Sequence, residues 1–326
     1  KHPADLTWWG SHRMTLRLSR MRFLTIHRRE SEDMKNSTGG TMEINWKAGI
    51  DDHMKVRKAN GVCYLTYPAF EEIPEIVHGF STRLGGVSKG DCTSMNLSFA
   101  RGDREEDVRE NYRRLAAAVG FSPEQIVCSD QTHTTNVRVV TEADRGKGLT
   151  IPRDYTDVDG LVTNVPGLVL ATFYADCVPL YFVDPEKRVI GLSHSGWKGT
   201  VGRIGKVTVE TMQREYGCRP EDILAAIGPS ICQECYEVSG DVAEQFQEAF
   251  PVSEHGKILK EKGHGKYLLN LWAANALIFR EAGILPAHIS YPGICTCCNP
   301  RFLFSHRASK GKRGNLGAFL GLREIN

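Results

Sequence analysis

The sequence contains no apolar run that approaches about 18 residues, so none of its segments is predicted to cross a membrane as a helix. Its formal net charge is only +2, and no stripe of Lys and Arg with interleaved aromatic residues occurs, so the composition gives no reason to expect a nucleic-acid partner. No repeat with a period of about 20–50 residues is visible, which excludes a solenoid. What the 326 residues do have is an ordinary globular composition, 41% hydrophobic and 25% charged, which is enough for a sizeable core.

Ten cysteines are present, but their positions do not indicate a disulfide framework. Residues 1–29 lack the continuous apolar core of a signal peptide, so we expect a reducing, cytoplasmic location in which thiols stay free. Cys232 and Cys235 form a C-x-x-C, and Cys295, Cys297 and Cys298 form a C-x-C-C. A structural zinc site needs a matching second pair, and C-x-C-C is not its usual spacing, so we assign no metal to these cysteines, with a cysteine-rich site as the alternative.

Residues 1–53 differ in composition from the rest of the chain. They are rich in Arg and poor in acids near the start and show no clear helical or strand period, which is typical of a transit peptide or an upstream extension. A segment that buries little apolar area cannot offset an ordering entropy of roughly 1–2 kcal/mol per residue, so we expect residues 1–53 to be dispensable. Residues 54–326 are predicted to form one mixed α/β domain, because strand and helix patterns alternate irregularly along them.

The pattern of the predicted domain is organised around residues 174–199. Apolar and β-branched runs at 167–174, 179–183 and 188–193 predict three strands separated by turns. Cys177 lies at the first junction and His194 follows the third strand. Neighbouring strands bring their ends together, so this thiol and this imidazole form either a Cys–His nucleophile pair or half of a metal site.

His133 adds a second imidazole, because it follows a short strand candidate at 125–128 and precedes a β-branched run at 137–141. His, Cys and His are side chains that zinc prefers, and three ligands rather than four leave a position for water or substrate. From spacing alone, a metal site, a Cys–His nucleophile and three unrelated residues all stay open.

The motifs around these three residues resemble those of the YfiH/YlmD-like family, also called the laccase-domain or "polyphenol oxidase" family. The resemblance rests on QTH at 131–133, YADCVPL at 174–180 and HSGWKG at 194–199. Further motifs occur in the same order: HGFSTRLGGVS at 78–88, MNLS at 95–98, DVDGLVT at 157–163, IGPSICQECYEV at 227–238, NLWAAN at 270–275 and CTCCNPRFLFSHR at 295–307. The match runs from about residue 77 to the C-terminus and leaves out residues 1–53.

This resemblance implies a single domain of packed mixed β-sheets flanked by helices, layered as in toxin-type Cys–His hydrolases. It implies that His133, Cys177 and His194 bind Zn²⁺ and form the catalytic centre of a purine nucleoside phosphorylase. The implied substrates are adenosine, inosine and guanosine together with phosphate. Cleavage of 5′-methylthioadenosine and deamination of adenosine are the implied side activities, and a monomer or homodimer is expected.

Five further residues are expected to contact substrate. Arg83 and Asn96 resemble pocket residues of the family pattern. Lys198 and Arg203 precede a predicted helix at 204–216, whose N-terminus would attract phosphate, with ordinary surface charge as the alternative. Arg307 lies in a basic, glycine-punctuated loop at 305–314 and is placed to reach phosphate.

Three rival functions fit the same residues. A copper polyphenol oxidase would use the same two His and one Cys as ligands of Cu²⁺, although a blue-copper site usually adds a weak axial Met and none lies near them in sequence. A metal-free Cys–His amidase or hydrolase acting on cell-wall precursors would use Cys177 as a nucleophile of low pKa. A binding module with structural zinc is disfavoured by the open fourth position.

Overall fold

The computed structural model describes residues 34–35, 41–50 and 53–324, and the chain divides into two compact units, Lys1–Glu43 and Ile44–Asn326. In the first unit, strand β1 (Met34–Lys35) pairs with strand β2 (Thr41–Met42) in antiparallel fashion. The rest of the predicted extension between residues 1 and 40 lies outside the described residues. All other elements belong to the second unit.

Two six-stranded mixed sheets form the centre of the second unit. The first sheet contains, in spatial order, β3 (Lys55–Ala59), β4 (Val62–Thr66), β5 (Ile76–Ser81), β17 (Leu316–Leu322), β9 (Val169–Tyr174) and β6 (Ile126–Cys128). The second sheet contains β16 (Ile289–Ser290), β12 (Leu224–Ile227), β10 (Val178–Asp184), β11 (Val189–Ser195), β8 (Gly160–Thr163) and β7 (Val137–Val139). A small third sheet contains β13 (Glu237–Ser239), β15 (Lys266–Leu269) and β14 (Leu259–Gly263).

Eight α-helices lie in the described part of the second unit. In chain order they are α1 (Pro68–Glu71), α2 (Glu105–Val119), α3 (Trp197–Val201), α4 (Ile204–Tyr216), α5 (Gly240–Ala249), α6 (Val252–Ile258), α7 (Leu271–Glu281) and α8 (His306–Ser309). Those that pack on the large sheets are α1, α2, α3, α4 and α7, while α5 and α6 pack on the small third sheet. Helix α2 packs on β4 and β5 of the first sheet, while α4 and α7 pack on the second. No helix in the described ranges is long and apolar enough to span a bilayer.

The inner faces of the two sheets pack on each other. Strand β11 of the second sheet contacts β9 and β17 of the first. Aromatic rings fill this interface: the centroids of Phe80 and Tyr174 lie 6.1 Å apart, and those of Tyr67 and Tyr181 5.8 Å apart. The resulting order of layers, helix, sheet, sheet and helices, confirms the predicted mixed α/β fold of packed sheets flanked by helices.

The three strands predicted around Cys177 are also confirmed, as β9, β10 and β11. Every residue of β10 and β11 is buried, which explains why these strands have nearly continuous apolar sequences rather than an alternating pattern. Both strands are central in their sheet and carry a second sheet on one face and helices on the other. The polar residues at their ends therefore lie on a rigid support.

Candidate metal centre

Three separate elements bring His133, Cys177 and His194 together. Cys177 directly precedes β10, and His194 is the last but one residue of β11. In this antiparallel pair Pro179 lies opposite His194, so the start of β10 lies beside the end of β11. His133 comes from the loop between β6 and β7. One ligand atom of each residue lies within 4.8 Å of those of the other two.

The cluster is packed so closely that the residue next to it must be glycine. A Cβ atom at Gly196 would lie 2.8 Å from Cδ2 of His133 and 3.3 Å from Sγ of Cys177. The first distance is shorter than carbon atoms tolerate without displacement. This explains the glycine of the HSGWKG motif by the space that the two ligand side chains need.

Asp159 fixes the orientation of two of the three residues. Its Oδ1 lies 2.7 Å from Nδ1 of His194, and its Oδ2 accepts hydrogen bonds from the backbone N–H groups of Thr132 (2.9 Å) and Thr134 (3.0 Å). The loop that carries His133 is therefore held by the same carboxylate as the His194 ring. With Nδ1 facing Asp159, His194 presents Nε2 to the cluster, an arrangement that is common for metal-binding histidines.

The electrostatics of the cluster favour a thiolate. Burial raises the pKa of Cys177, but the charge of His194 and the hydrogen bonds of both histidines outweigh it and lower the pKa to about 6. Burial lowers the pKa of His194, yet the Cys177 thiolate and the Asp159 carboxylate raise it to about 9. Both shifts arise from attraction between the same opposite charges, and a thiolate is the form that either a metal or a nucleophilic reaction requires.

The donor set fits a zinc ion. Two imidazoles and one thiolate are ligands that zinc prefers, a carboxylate orients one of the imidazoles, and three protein ligands leave one position open. The open side faces a pocket of about 280 Å³. Three arginines line this pocket together with the cluster: Arg101, Arg153 and Arg313.

A larger pocket of about 670 Å³ adjoins the first one, and the two share Asp130, Arg153, Phe173 and Asn315 in their walls. Phe99 and Ile151 line the larger pocket, and both are exposed although they are large and hydrophobic. A polar pocket with the candidate metal ligands thus opens onto a more apolar one, a combination that is typical of sites for small molecules.

The five predicted substrate contacts do not line the pocket of the cluster. Asn96 is fully buried and uses its amide within the protein: Nδ2 donates to the Ser98 carbonyl and to Asp103, and Oδ1 accepts from the N–H groups of Ser98 and Asn315. Arg83 donates to the carbonyl oxygens of Thr93 and Pro300. Both residues therefore support loops in this structure rather than face the cluster.

The three remaining predicted contacts have local partners as well. Arg203 forms an ion pair with Glu281, 2.5 Å between Nη1 and Oε2. The guanidinium of Arg307 donates to the carbonyl oxygens of Cys235 and Glu237. Lys198 lies over the ring of its neighbour Trp197, with 5.6 Å between Nζ and the ring centroid.

Sequence reasoning did not single out Asp159, Arg101 or Arg313. Asp159 had a visible signal, since it lies in the DVDGLVT motif beside a predicted strand. The two arginines had none, because only the folded chain brings residues 101 and 313 to the mouth of the same pocket.

The structure also brings four cysteines together, Cys232, Cys235, Cys295 and Cys298. Residues 295–298, read as C-x-C-C, also contain a second C-x-x-C, formed by Cys295 and Cys298. The spacing argument against a matching pair was therefore wrong. Cys297, which obscured the pattern, is not part of the cluster.

These features define a layered α/β protein with a His–Cys–His cluster at an arginine-lined pocket. The family model described as multi-copper polyphenol oxidoreductase laccase matches residues 77–323, so the chain belongs to this family.

Individual relatives and solved structures are consistent with this assignment. The chain is 38% identical over 254 residues to a protein of Bacillus subtilis named purine nucleoside phosphorylase YlmD, covering 77% of this chain and 90% of the relative. It is 36% identical to a protein of an unknown prokaryotic organism named adenosine deaminase RL5, covering 73% and 91%. The crystal structure of YlmD from Geobacillus stearothermophilus superimposes with a TM-score of 0.77 at 38% identity, covering 84% of this chain and all of that one.

Proposed function

We propose that this protein is a zinc-dependent purine nucleoside phosphorylase that cleaves inosine, adenosine and guanosine with phosphate to the free base and ribose 1-phosphate. The observation that carries the proposal is the His133–Cys177–His194 cluster, which opens onto a pocket lined by three arginines. Relatives named purine nucleoside phosphorylase support the reaction class. A zinc ion held by these three residues would act as a Lewis acid or lower the pKa of a water molecule.

Zinc rather than copper is favoured by what surrounds the cluster. A blue-copper site usually adds a weak axial Met to two His and one Cys. Met95 and Met212 are instead fully buried in the two hydrophobic cores, and no methionine lines the pocket among the described residues. A colourless purified protein with zinc as its metal would agree with this choice.

The arginines are the proposed phosphate site. Partial burial and the neighbouring charge of Arg101 lower the pKa of Arg313 to about 10, so it keeps its positive charge at neutral pH. Arg153 donates to the Ser129 carbonyl at 2.9 Å and forms an ion pair with Asp130, whose carboxylate also lines the pocket and would have to share this guanidinium with a phosphate. Arg101 forms no ion pair with a carboxylate in the part of the chain that the structure describes. Guanidinium groups bind phosphate through two parallel hydrogen bonds, so this trio suits an anion better than a neutral sugar.

In the proposed reaction, a phosphate oxygen forms a bond to C1′ of the ribose while the bond from C1′ to N9 of the purine breaks. The electron pair of the broken bond leaves with the base, which is released after it gains a proton. The arginines hold and orient the phosphate beside the cluster. The adjoining pocket, with Phe99 and Ile151 in its wall, is proposed to receive the purine, because a planar base gains most from burial against apolar side chains.

Adenosine deamination and 5′-methylthioadenosine cleavage are proposed as side activities of the same site. The relative named adenosine deaminase RL5 favours the former. Deamination consumes water and releases ammonia, so it is recognised by the formation of inosine from adenosine in the absence of phosphate.

A Cys–His hydrolase or amidase is the second candidate, because the Cys177 thiolate is paired with His194 as such a reaction requires. The two candidates differ in their need for metal. Removal of zinc abolishes the phosphorylase, whereas it exposes the thiolate of a hydrolase and leaves its activity intact.

The direct test measures inosine turnover with and without phosphate. We expect hypoxanthine and ribose 1-phosphate at a rate that rises with phosphate concentration. Free ribose at an equal rate in phosphate-free buffer would rule out phosphorolysis.

Arg313→Gln sharpens this test. Loss of a charge-assisted hydrogen bond of about 1.5–3 kcal/mol raises the KM for phosphate by about 10–100-fold. Arg214→Gln is the matched control, since Arg214 pairs with Glu215 on the exposed side of α4. An unchanged KM for phosphate in the Arg313 variant would exclude Arg313 from the phosphate site.

A further inference from the structure

Four thiols from two loops converge at a second place in the fold. Cys232 and Cys235 flank the turn that follows β12, and Cys295 and Cys298 lie in the loop that follows β16. Their Sγ atoms all lie within 4.8 Å of one another. The Sγ of Cys298 is 3.5 Å from that of Cys235 and 3.8 Å from that of Cys232.

These separations match four thiolates around one zinc ion. A tetrahedron with Zn–S bonds of about 2.3 Å has S···S edges of about 3.8 Å. A disulfide requires about 2.05 Å, so the thiols are not bonded in pairs. An iron–sulfur cluster inserts several irons and sulfides between its cysteines and holds their thiolates farther apart.

The surroundings of the four sulfur atoms suit thiolates rather than thiols. Two backbone N–H groups point at Sγ of Cys295, from Cys232 at 3.2 Å and from Cys298 at 3.4 Å. The ammonium group of Lys47 lies beside Cys232 and 3.1 Å from Oε2 of Glu234. A zinc ion with four thiolates carries a net charge of −2, which backbone N–H donors and a nearby cation stabilise.

We propose that Cys232, Cys235, Cys295 and Cys298 bind a structural Zn²⁺ ion. The site has the C-x-x-C spacing twice, once on each loop, and supplies four donors, which is the full coordination of structural zinc. Cys232 and Cys295 are buried, and none of the four lines the pocket at His133, Cys177 and His194. This second zinc is therefore closed to substrate, and its presence does not depend on the proposed phosphorylase activity.

The ion ties together two loops that also hold Asp176, the residue before Cys177. Thr296, between the third and fourth cysteine, donates its hydroxyl to Oδ1 of Asp176 at 2.7 Å. Ile231, next to the first cysteine, donates its N–H to the Asp176 carbonyl at 3.0 Å. Asp176 has φ +88°, a conformation that non-glycine residues adopt only when their surroundings enforce it. The four cysteines thus act as positioning residues for Cys177.

Zinc content per chain tests the proposal. We expect two zinc ions in the natural protein, one in Cys298→Ser and one in Cys177→Ala. Cys297→Ser is the matched control, since Cys297 lies in the same loop outside the cluster, and it should keep both ions. Cys298→Ser should melt at a lower temperature than Cys297→Ser, because a structural zinc contributes directly to folding.

If Cys298→Ser fails to fold, X-ray absorption at the zinc edge on the Cys177→Ala protein tests the four-cysteine site directly. The zinc that remains should have only sulfur neighbours, at about 2.3 Å. A Cys177→Ala protein without zinc, a remaining zinc with nitrogen neighbours, iron in place of zinc, or a disulfide among the four cysteines in the purified protein would each overturn the assignment. Inosine turnover plays no part in this measurement, so its result is separate from that of the phosphorylase test.

Discussion

The His133–Cys177–His194 cluster and the Cys232–Cys235–Cys295–Cys298 cluster use similar donors in opposite surroundings. The first has three donors at the ends of two central strands and one loop, a buried carboxylate behind His194, and a pocket with three arginines in front. The second has four donors on two loops, backbone N–H groups on its sulfur atoms, and no pocket among the described cavities that includes it. Donor number and access thus separate a centre that can react from one that can only hold loops together.

The two clusters also meet at one residue. The backbone of Asp176 continues into Cys177, while its carboxylate accepts hydrogen bonds from the Thr296 hydroxyl and from the N–H of Arg307, each at 2.7 Å. A rigid support for a reactive ligand is needed because small displacements at a catalytic centre cost much of its rate. The four-cysteine site, here called the closed cluster, can therefore influence turnover without contact to substrate.

Cys177→Ala should have the largest effect, because it removes a ligand from the His133–Cys177–His194 site, here called the open cluster, and leaves the closed cluster intact. Several kcal/mol of electrostatic stabilisation are lost with the metal, so inosine turnover should fall by about 10³-fold or more. The thermal unfolding transition should stay close to that of the natural protein. Full turnover with full zinc content in the variant would show that the open cluster is not the catalytic centre.

Asp159→Asn should have the next largest effect, because it weakens the orientation of His194 without removing a ligand. Loss of such a partner typically costs about 10–100-fold in metal affinity or activity. Competition with a chelator measures the affinity of the first zinc, and the four-cysteine zinc should resist the chelator as in the natural protein. Asp154→Asn is the control, since Asp154 is an exposed partner of Lys147. Equal zinc affinity in both variants would contradict the role of Asp159.

The pH dependence of Cys177 alkylation in zinc-free protein measures how strongly the two histidines stabilise the thiolate when no metal is bound. The pKa of Cys177 is lowered to about 6, so in zinc-free protein the thiolate is present above that pH and is lost as the pH falls through it. Iodoacetamide should therefore label Cys177 at half its maximal rate near pH 6, whereas an ordinary cysteine has a pKa of about 8.5.

His194→Gln removes the positive partner and should move the midpoint of Cys177 labelling to higher pH. Peptide mass spectrometry of the labelled chain gives the rate at Cys177 itself. A midpoint near that of an ordinary cysteine in the unsubstituted protein would mean that no imidazolium stabilises the thiolate.

The open cluster was largely visible in the sequence, and the reason is local. Cys177 and His194 lie at the ends of two strands joined by a tight turn, so antiparallel pairing alone brings them together. The strands themselves were recognisable from continuous apolar runs. His133 was singled out by its place between a short strand candidate and a β-branched run, and the family motifs joined it to the other two residues. Its approach depends on a non-local contact with Asp159.

The arginines that line the pocket were not predictable in the same way. Arg83 and Arg203 have the chemistry of phosphate ligands, but the fold directs them to carbonyl oxygens and to Glu281. Arg101 and Arg313 reach the pocket from loops more than 200 residues apart in the chain, and no local pattern encodes that approach. Long surface side chains are placed by tertiary contacts, which periodicity does not report.

The smallest expected effect concerns the N-terminal segment, residues 1–53, which we predict to be dispensable. The division of the chain between Glu43 and Ile44 lets two shortened chains test its two parts separately. A chain that starts at Met42 should keep the melting temperature, both zinc ions and the inosine turnover of the natural protein. A chain that starts at Met54 loses further contacts. Its missing residues include Asn45, whose N–H donates to Oδ1 of Asn299 at 2.7 Å, and Lys47, which pairs with Glu234.

The contacts of Asn45 and Lys47 adjoin the closed cluster and not the open one. Their loss should therefore weaken the four-cysteine site and leave the His133–Cys177–His194 site unchanged. The lost hydrogen bonds contribute about 0.5–1.5 kcal/mol each, enough to lower the melting temperature by several degrees. Loss of Lys47 also removes a positive charge from beside Cys232. The chain that starts at Met54 should therefore release the four-cysteine zinc to a chelator faster than the chain that starts at Met42. The zinc at His133, Cys177 and His194 should be released equally fast from both. Equal release of both ions would mean that residues 44–53 do not support the closed cluster, and an inactive chain that starts at Met42 would mean that residues 1–41 are needed for the fold.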